Sequence, residues 1–368
     1  TNKAAEEMKQ RIKKILGDNT HLGFVGTFHT FCVKILREFG ESIGINKNFV
    51  IFDSEDSESL MKNVLKEIGI DTKESKPGMF LGVIGKMKND FKSLESLESS
   101  AENYFYKQVV KVWKNYQFKL KKNNALDFDD LLVKAVEVLK NTEIQKELNL
   151  RLQWVLIDEY QDTNKVQFEL TRLLAGDRRN LTVVGDASQA IYSFRGADFR
   201  NLTLLEAEYP EIIKIELPKN YRSTQSILDS AYSVVKNNTG HPVIKLESTK
   251  EEGDKIRLIE NSDETEEARM VVREASKLIE TNIEEVAVLY RTNAQSRAIE
   301  EELIRCRVAY KLVGGVRFYG RAEVKDLIAY LRLINNKEEE VSLARVEKIG
   351  KRKSKLFFDW LFLQKPEI

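Results

Sequence analysis

Two hydrophobic rhythms alternate along the chain. Between residues 32 and 126 the apolar positions recur at helical spacing. Leu60, Met61, Val64, Leu65 and Ile68 form one stripe, and Tyr104, Phe105, Val109, Val112, Trp113 and Tyr116 form another. Such stripes predict helices with one buried face, and Lys76-Pro77-Gly78 marks a turn between them. The first thirty residues combine a basic helix, with Ala4, Ala5, Met8 and Ile12 on one side, and a short strand at Phe24-Val25-Gly26. From residue 154 the rhythm changes: a strand at 154–157, a helix near 165–175, a strand at 181–184, a helix near 201–207 and a strand at 212–216. That alternation predicts βαβ units and a parallel sheet. A second unit follows Asn220-Tyr221-Arg222-Ser223, with helices near 224–236, 264–279, Glu300–Ile304 and 322–334 and strands near 256–260 and 286–290. The fold class expected is α/β, with a helical segment inserted into the first sheet domain.

The decapeptide Val155-Leu156-Ile157-Asp158-Glu159-Tyr160-Gln161-Asp162-Thr163-Asn164 carries the most chemistry. An apolar run entering two acids predicts an interior parallel strand, covered on both faces, whose carboxyl end meets ligand. Asp158 and Glu159 suit a Mg²⁺-nucleotide: one carboxylate donates oxygen to a hard cation, the other orients or deprotonates an attacking water. The next strand leads into Gly185, a residue that permits a tight exit, and then Gln189, expected beside Glu159 to sense a γ-phosphate or hold the water. Phe194-Arg195 pairs a π-face with a guanidinium, a combination suited to single-stranded nucleic acid.

Composition narrows the classes. At 368 residues, two or more domains are expected, and an apolar content of 42% supports real cores. The 59 basic and 58 acidic residues nearly cancel, so any nucleic-acid surface must come from local segregation of charge. Cys32 and Cys306 stand far apart, which argues against a disulfide framework and for a reducing, cytoplasmic compartment. His21, His29 and His241 are too scattered for a zinc site. No apolar run approaches the roughly 18–20 residues of a membrane helix, so no membrane partner is expected.

Asp-Glu-Tyr-Gln-Asp-Thr-Asn, Val-Val-Gly-Asp with Gln-Ala-Ile-Tyr-Ser-Phe-Arg-Gly-Ala-Asp, and Asn-Tyr-Arg-Ser resemble motifs II, III and IV of superfamily 1A DNA helicases, the UvrD/PcrA/Rep group. In the same order, Thr1-Asn2-Lys3-Ala4-Ala5 resembles motif Ia and Gly26-Thr27-Phe28-His29-Thr30-Phe31 motif Ib. Asp127-Phe128-Asp129-Asp130-Leu131 resembles the signature that re-enters the first motor domain. Tyr290–Arg297 and Phe318–Asp326 resemble segments of the second. The resemblance implies RecA-like motor domains of P-loop NTPase type: 1A at 1–31 and 127–215, helical insertion 1B at 32–126, 2A at 216–335, and the start of insertion 2B at 336–368. It implies ATP and Mg²⁺ as cofactors, Asp158 at the metal, Glu159 as base, Gln189 as γ-phosphate sensor, Tyr221 stacked on adenine and Arg222 as an arginine finger. Thr1, Asn2, Phe28, His29, Phe194, Arg195, Arg291 and Asn293 resemble residues that contact single-stranded DNA.

The function so implied is an ATP-dependent translocase and helicase moving 3′ to 5′ in DNA repair or replication restart, acting on single strands and on junctions with duplex, with repair proteins as partners. Three departures stand out. No Gly-x-x-x-x-Gly-Lys-Ser/Thr phosphate loop occurs, and motifs V and VI are missing, so the chain reads as a piece of something longer that does not hydrolyse ATP by itself. Ala187 stands where relatives more often carry an acid, and Phe194 where many carry Trp. The aromatic tail, Phe357, Phe358, Trp360 and Phe362, is expected to lack packing partners. Two other readings compete: a module that has lost its ATPase and grips single-stranded DNA or protein, and the motor part of a RecB-like helicase-nuclease.

Overall fold

Polar residues set the ends of the helices and apolar residues set their faces. The computed structural model describes residues 2–17, 23–100, 103–281, 285–313 and 322–363; Thr1, His21 and Phe318-Tyr319-Gly320-Arg321, singled out above, lie outside them. The contacts divide the chain into two compact units, one of Thr1–Ile215, Gly240–Val243 and Ala322–Ile368, the other of Glu216–Thr239 and Ile244–Arg321.

The first unit opens with α1 (Asn2–Leu16) and α2 (Phe28–Phe39). The Thr27 hydroxyl caps α2 by accepting from the Thr30 amide at 3.3 Å, satisfying one of the helix's orphan donors. Strand β1 (Val50–Ile51) then leads to α3 (Ser54–Glu67), whose start is a capping box between Asp53 and Asp56. Three further helices follow: α4 (Pro77–Asn89), with proline in its first turn, α5 (Leu94–Ser100) and α6 (Tyr104–Lys122). Strand β2 (Ala125–Leu126) lies parallel to β1, and α7 (Phe128–Leu139) and α8 (Thr142–Arg151) come next. The unit continues with β3 (Val155–Ile157), α9 (Lys165–Ala175), β4 (Leu181–Val183) and α10 (Asn201–Glu208).

Both predicted stripes pack into a core, except that Tyr104 at the start of the second is left 76% exposed. Leu60, Met61, Val64 and Leu65 of α3 meet Val109, Val112, Trp113 and Tyr116 of α6, with Phe80 and Ile84 of α4, in one core. Each such side chain contributes roughly 1.5–3 kcal/mol on full burial. A second core joins Phe31, Cys32, Ile35 and Leu36 of α2 to Leu131 and Ala135 of α7 and Val166 and Leu170 of α9. Residues 32–39, read from the sequence as the start of the helical insertion, thus pack with the segment that carries the acid pair; the separate insertion core begins at Phe52.

The second unit contains β5 (Lys219–Asn220), α11 (Gln225–Val235), β6 (Glu247–Ser248), α12 (Glu264–Glu280) and α13 (Asn293–Arg305). β5 and β6 pair in parallel, and Asp263 caps α12 by accepting from the amides of Thr265 and Glu266. The chain then forms α14 (Ala322–Asn335), α15 (Glu340–Ile349) and α16 (Lys351–Leu363) in the first unit. Arg332 of α14 pairs with Asp56 of α3 at 2.7 Å, and Lys325 with Asp53 at 3.0 Å, so the helix read from the sequence as the end of 2A is tied here to α3.

Three expectations are corrected. The strands expected at 24–26, 212–216, 256–260 and 286–290 form no ladder among the described residues. A strand exists by virtue of a partner's hydrogen bonds, and these segments have none; Leu258 is left 99% exposed and Leu289 92%. The pairing expected of 155–157 with 181–183 is present and parallel, but as a two-stranded ribbon with Leu156 exposed rather than an interior strand covered on both faces. The tail finds partners in part: Phe357 packs edge-on against Tyr330 with ring centroids 4.6 Å apart and Leu361 joins Leu333 and Val346, while Trp360 stays 46% exposed and the Phe362 side chain lies outside the described residues. No helix among the described residues is long and apolar enough to cross a membrane.

Candidate nucleotide and DNA site

The acid pair sits where the β3–β4 ribbon is pinned on either side of it. The Val184 amide donates to the Ile157 carbonyl at 2.8 Å, and the Tyr160 amide donates to the Val184 carbonyl at 2.9 Å. The two residues between, Asp158 and Glu159, are thrown outward. Glu159 takes a left-handed backbone, φ 54° and ψ 43°. A non-glycine residue there is held by its surroundings at a cost of order 1–3 kcal/mol, a feature that concentrates at functional sites.

Gln161 supplies the hold. It is buried, its Nε2 donates to Glu159 Oε2 at 2.7 Å, and its Oε1 accepts from the Asp186 amide at 3.0 Å. Gly185 makes the approach possible: a Cβ there would lie 2.8 Å from Gln161 Oε1. Gln189, expected beside Glu159, instead donates its amide to Asp186 Oδ2 at 2.8 Å. The amide on the acid belongs to Gln161, for which the sequence reading had no role.

A cavity of about 810 Å³ opens beside this pair, lined by Asp158, Glu159 and Asp162, by Thr27, Phe28 and His29, and by apolar side chains of α1 and β3. Burial, and then the Glu159 charge, push the Asp162 carboxyl above its ordinary range, with the Ile191 amide opposing. One Asp162 oxygen is buried without a hydrogen-bond partner. Among the described residues no group of three metal-ligating side chains occurs. Mg²⁺ ordinarily binds through one or two carboxylates with waters and substrate phosphates, so Asp158, with this orphaned oxygen nearby, fits that ion without a protein cage.

Asn2 is tied to the first turn of α2, which carries Phe28 and His29. Thr30 Oγ1 donates to Asn2 Oδ1 at 3.3 Å, and the His29 ring meets Phe128 edge-on at 5.9 Å. Burial holds the His29 pKa below its ordinary value, so the ring is neutral at neutral pH. Phe194 stands 77% exposed near Tyr192, their ring centroids 6.1 Å apart.

In the second unit, Asn220 Oδ1 accepts from the amides of Arg222 at 3.0 Å and Ser223 at 2.7 Å. This Asx turn presents Tyr221, 71% exposed, and Arg222 outward. Similarly, Gln295 Oε1 accepts from the amides of Arg291 and Thr292 at 3.0 and 2.9 Å, fixing the loop that displays Arg291 and Asn293 at the start of α13.

A buried polar cluster joins the end of α4 to the start of α7. Lys88 of α4 is buried and pairs with Asp127 at 2.7 Å and Asp130 at 2.8 Å. Next to it, burial, and then the Asp127 charge, raise Asp129 to about 6. Its folded pKa exceeds its unfolded value of 3.8, so the folded chain binds more protons between the two. Stability from this group is therefore greatest below pH 4 and is lost as pH rises through 6. Asp129→Asn is expected to abolish that slope and to stabilise the protein at pH 7 by up to about 3 kcal/mol, read from urea midpoints at pH 5 and pH 7. Equal slopes in both proteins would show that Asp129 is not the titrating group.

The acid pair thus stands at the end of a parallel strand, and comparison with known proteins places the chain in a family. The family model described as the UvrD/REP helicase N-terminal domain matches residues 1–210, and that of the UvrD-like helicase C-terminal domain matches 215–360. Proteins named ATP-dependent DNA helicase PcrA from Staphylococcus aureus and Staphylococcus epidermidis are each 42% identical over 355 residues, covering 96% of this chain and 49% of theirs. The chain belongs to the UvrD-like helicase family, and with it to the RecA-like motor fold, built here with many helices and small parallel sheets. It spans about half the length of the curated relatives it matches.

Proposed function

We propose that this chain is part of an ATP-dependent DNA helicase that moves 3′ to 5′ on single-stranded DNA, acts at junctions with duplex in repair or replication restart, and works in the cytoplasm alongside repair proteins. The observation that carries the reading is Glu159, kept in a left-handed backbone and tethered by Gln161 beside Asp158. Glu159 takes the proton of the attacking water, and Gln161 keeps its carboxylate aimed. Asp158 would hold Mg²⁺, which would supply charge neutralisation at the phosphate oxygens. Tyr221 offers a face to adenine, and Arg222 serves as the finger, a part worth roughly 10³–10⁵ in rate in other P-loop NTPases. Gln189, on the loop that also carries Phe194 and Arg195, couples nucleotide to DNA. Contact with single-stranded DNA is assigned to Thr1, Asn2, Phe28, His29, Phe194, Arg195, Arg291 and Asn293, with aromatic stacking contributing about 1–3 kcal/mol per base. Residues 1–368 contain no phosphate loop and are expected to show no ATP turnover alone.

Strand displacement by the full-length protein tests the reading. A duplex with a 3′ single-stranded tail is expected to be unwound with ATP and Mg²⁺, and one with a 5′ tail left intact. Unwinding from the 5′ tail would overturn the direction; no ATP-dependent displacement of either would overturn the helicase assignment.

A further inference from the structure

Asn89, the last residue of α4, lies outside every motif discussed above, yet touches three of them. Its Oδ1 accepts from Asn164 Nδ2 at 2.6 Å, and its Nδ2 donates to Asp129 Oδ1 at 3.1 Å. Gly196, with φ +84°, presses on it: a Cβ at Gly196 would lie 3.2 Å from Asn89 Cβ. Asn164 caps α9 and closes the turn whose Gln161 holds Glu159. Gly196 follows Phe194-Arg195 directly. The neighbouring Lys88 is locked to Asp127 and Asp130, and Gly85, one turn earlier, leaves room for Asp129, since a Cβ there would lie 2.8 Å from Asp129 Oδ2. The end of α4 is thus a fixed post: the Asn89 amide is bonded to the acid-pair turn at Asn164 and to α7 at Asp129, and its Cβ packs against the Phe194 loop at Gly196.

We infer that Asn89 is a positioning residue, through which the helical insertion sets the acid-pair turn according to the state of the Phe194–Arg195 loop. The inference rests on the ATPase reading above. With its amide fixed at both ends by Asn164 and Asp129, Asn89 cannot yield freely, so a shift of Gly196 against its Cβ is passed to the Asn164 bond. A second, direct link joins loop to turn, the Asp198 amide and Asn201 Nδ2 both donating to the Thr163 carbonyl at 3.0 and 2.8 Å. Loss of Asn89 is therefore expected to weaken the coupling and not to abolish it.

The test compares full-length wild type, Asn89→Leu, which keeps the size and removes both hydrogen bonds, and Met87→Ala, which loosens the same helix from the insertion core but leaves the Asn89 amide in place. With oligothymidylate as the probe, Asn89→Leu is expected to lower the DNA-stimulated kcat by a factor of roughly ten, within the range of ordinary site-to-site coupling, with KM for ATP unchanged. Met87→Ala is expected to lose thermal stability while keeping the stimulation. Hydrogen exchange gives a readout independent of turnover. In wild type, oligothymidylate slows exchange in both 187–197 and 160–167; in Asn89→Leu it slows the first and no longer the second. Equal protection of 160–167 in both proteins, or equal loss of stimulation in the two variants, would overturn the inference. A wild type without DNA-stimulated turnover would instead overturn the reading on which it rests.

Discussion

Glu159→Gln in the full-length protein is expected to lower DNA-stimulated ATP turnover by about 10²–10⁴-fold, the usual contribution of a positioned general base, while nucleotide binding persists. The substitution is nearly isosteric. A glutamine at this position can still accept from Gln161 Nε2, the bond that now measures 2.7 Å, so the left-handed turn and the cavity survive. What disappears is the capacity to take a proton. Steady-state ATPase with saturating oligothymidylate measures the first quantity, and titration with a fluorescent ATP analogue the second. Turnover within a few fold of wild type would remove Glu159 from the role of base; lost nucleotide binding would mean that the substitution had damaged the site itself.

Lys88→Met is expected to destabilise the first unit by about 3–5 kcal/mol, the cost of removing one partner from a buried ion pair. The Lys88 ammonium is buried and lies 2.7 Å from Asp127 and 2.8 Å from Asp130. Burial opposes its charge, but the two carboxylates outweigh that effect and raise its pKa. Asp130 is pushed upward, first by burial and then by the Asp127 charge. Without Lys88 both carboxylates stay in a core that offers no replacement cation. The triple variant Lys88→Met, Asp127→Asn, Asp130→Asn should recover most of the loss, because neutral, well-packed replacements for buried ion pairs are often neutral or stabilising and asparagine caps α7 about as well as Asp127 does. Urea denaturation followed by tryptophan emission tests both. A triple variant no more stable than the single one would show that packing, not stranded charge, set the cost.

The helices of the insertion were legible because burial leaves a periodic trace: Leu60, Met61, Val64 and Leu65 are spaced for one face and share one core. The acid pair was legible only in company, because two carboxylates after an apolar run are common at any surface and the motifs that follow in order singled this pair out; the parallel pairing of 155–157 with 181–183 followed from the βαβ rhythm. Gln161 sat in plain view inside the same decapeptide. The signal that could have found it is a polar side chain directly after Tyr160 in the turn that leaves the strand, where a buried amide needs partners. For Asn89 no sequence signal existed, because its partners lie 40 and 75 residues away.

By itself, then, the chain determined periodicity, local caps and the order of its motifs, since these depend on neighbours within a few residues. Which strands found partners was decided in three dimensions: a segment such as 256–260 has a strand's composition, but hydrogen bonds to a ladder come only from another segment placed beside it. The tail likewise gained its partners only when α14 and α15 folded back to meet it. Tertiary structure also chose the amide that grips Glu159, since Gln161 and Gln189, two and thirty residues away in sequence, could both serve one acceptor and only distance settles the outcome.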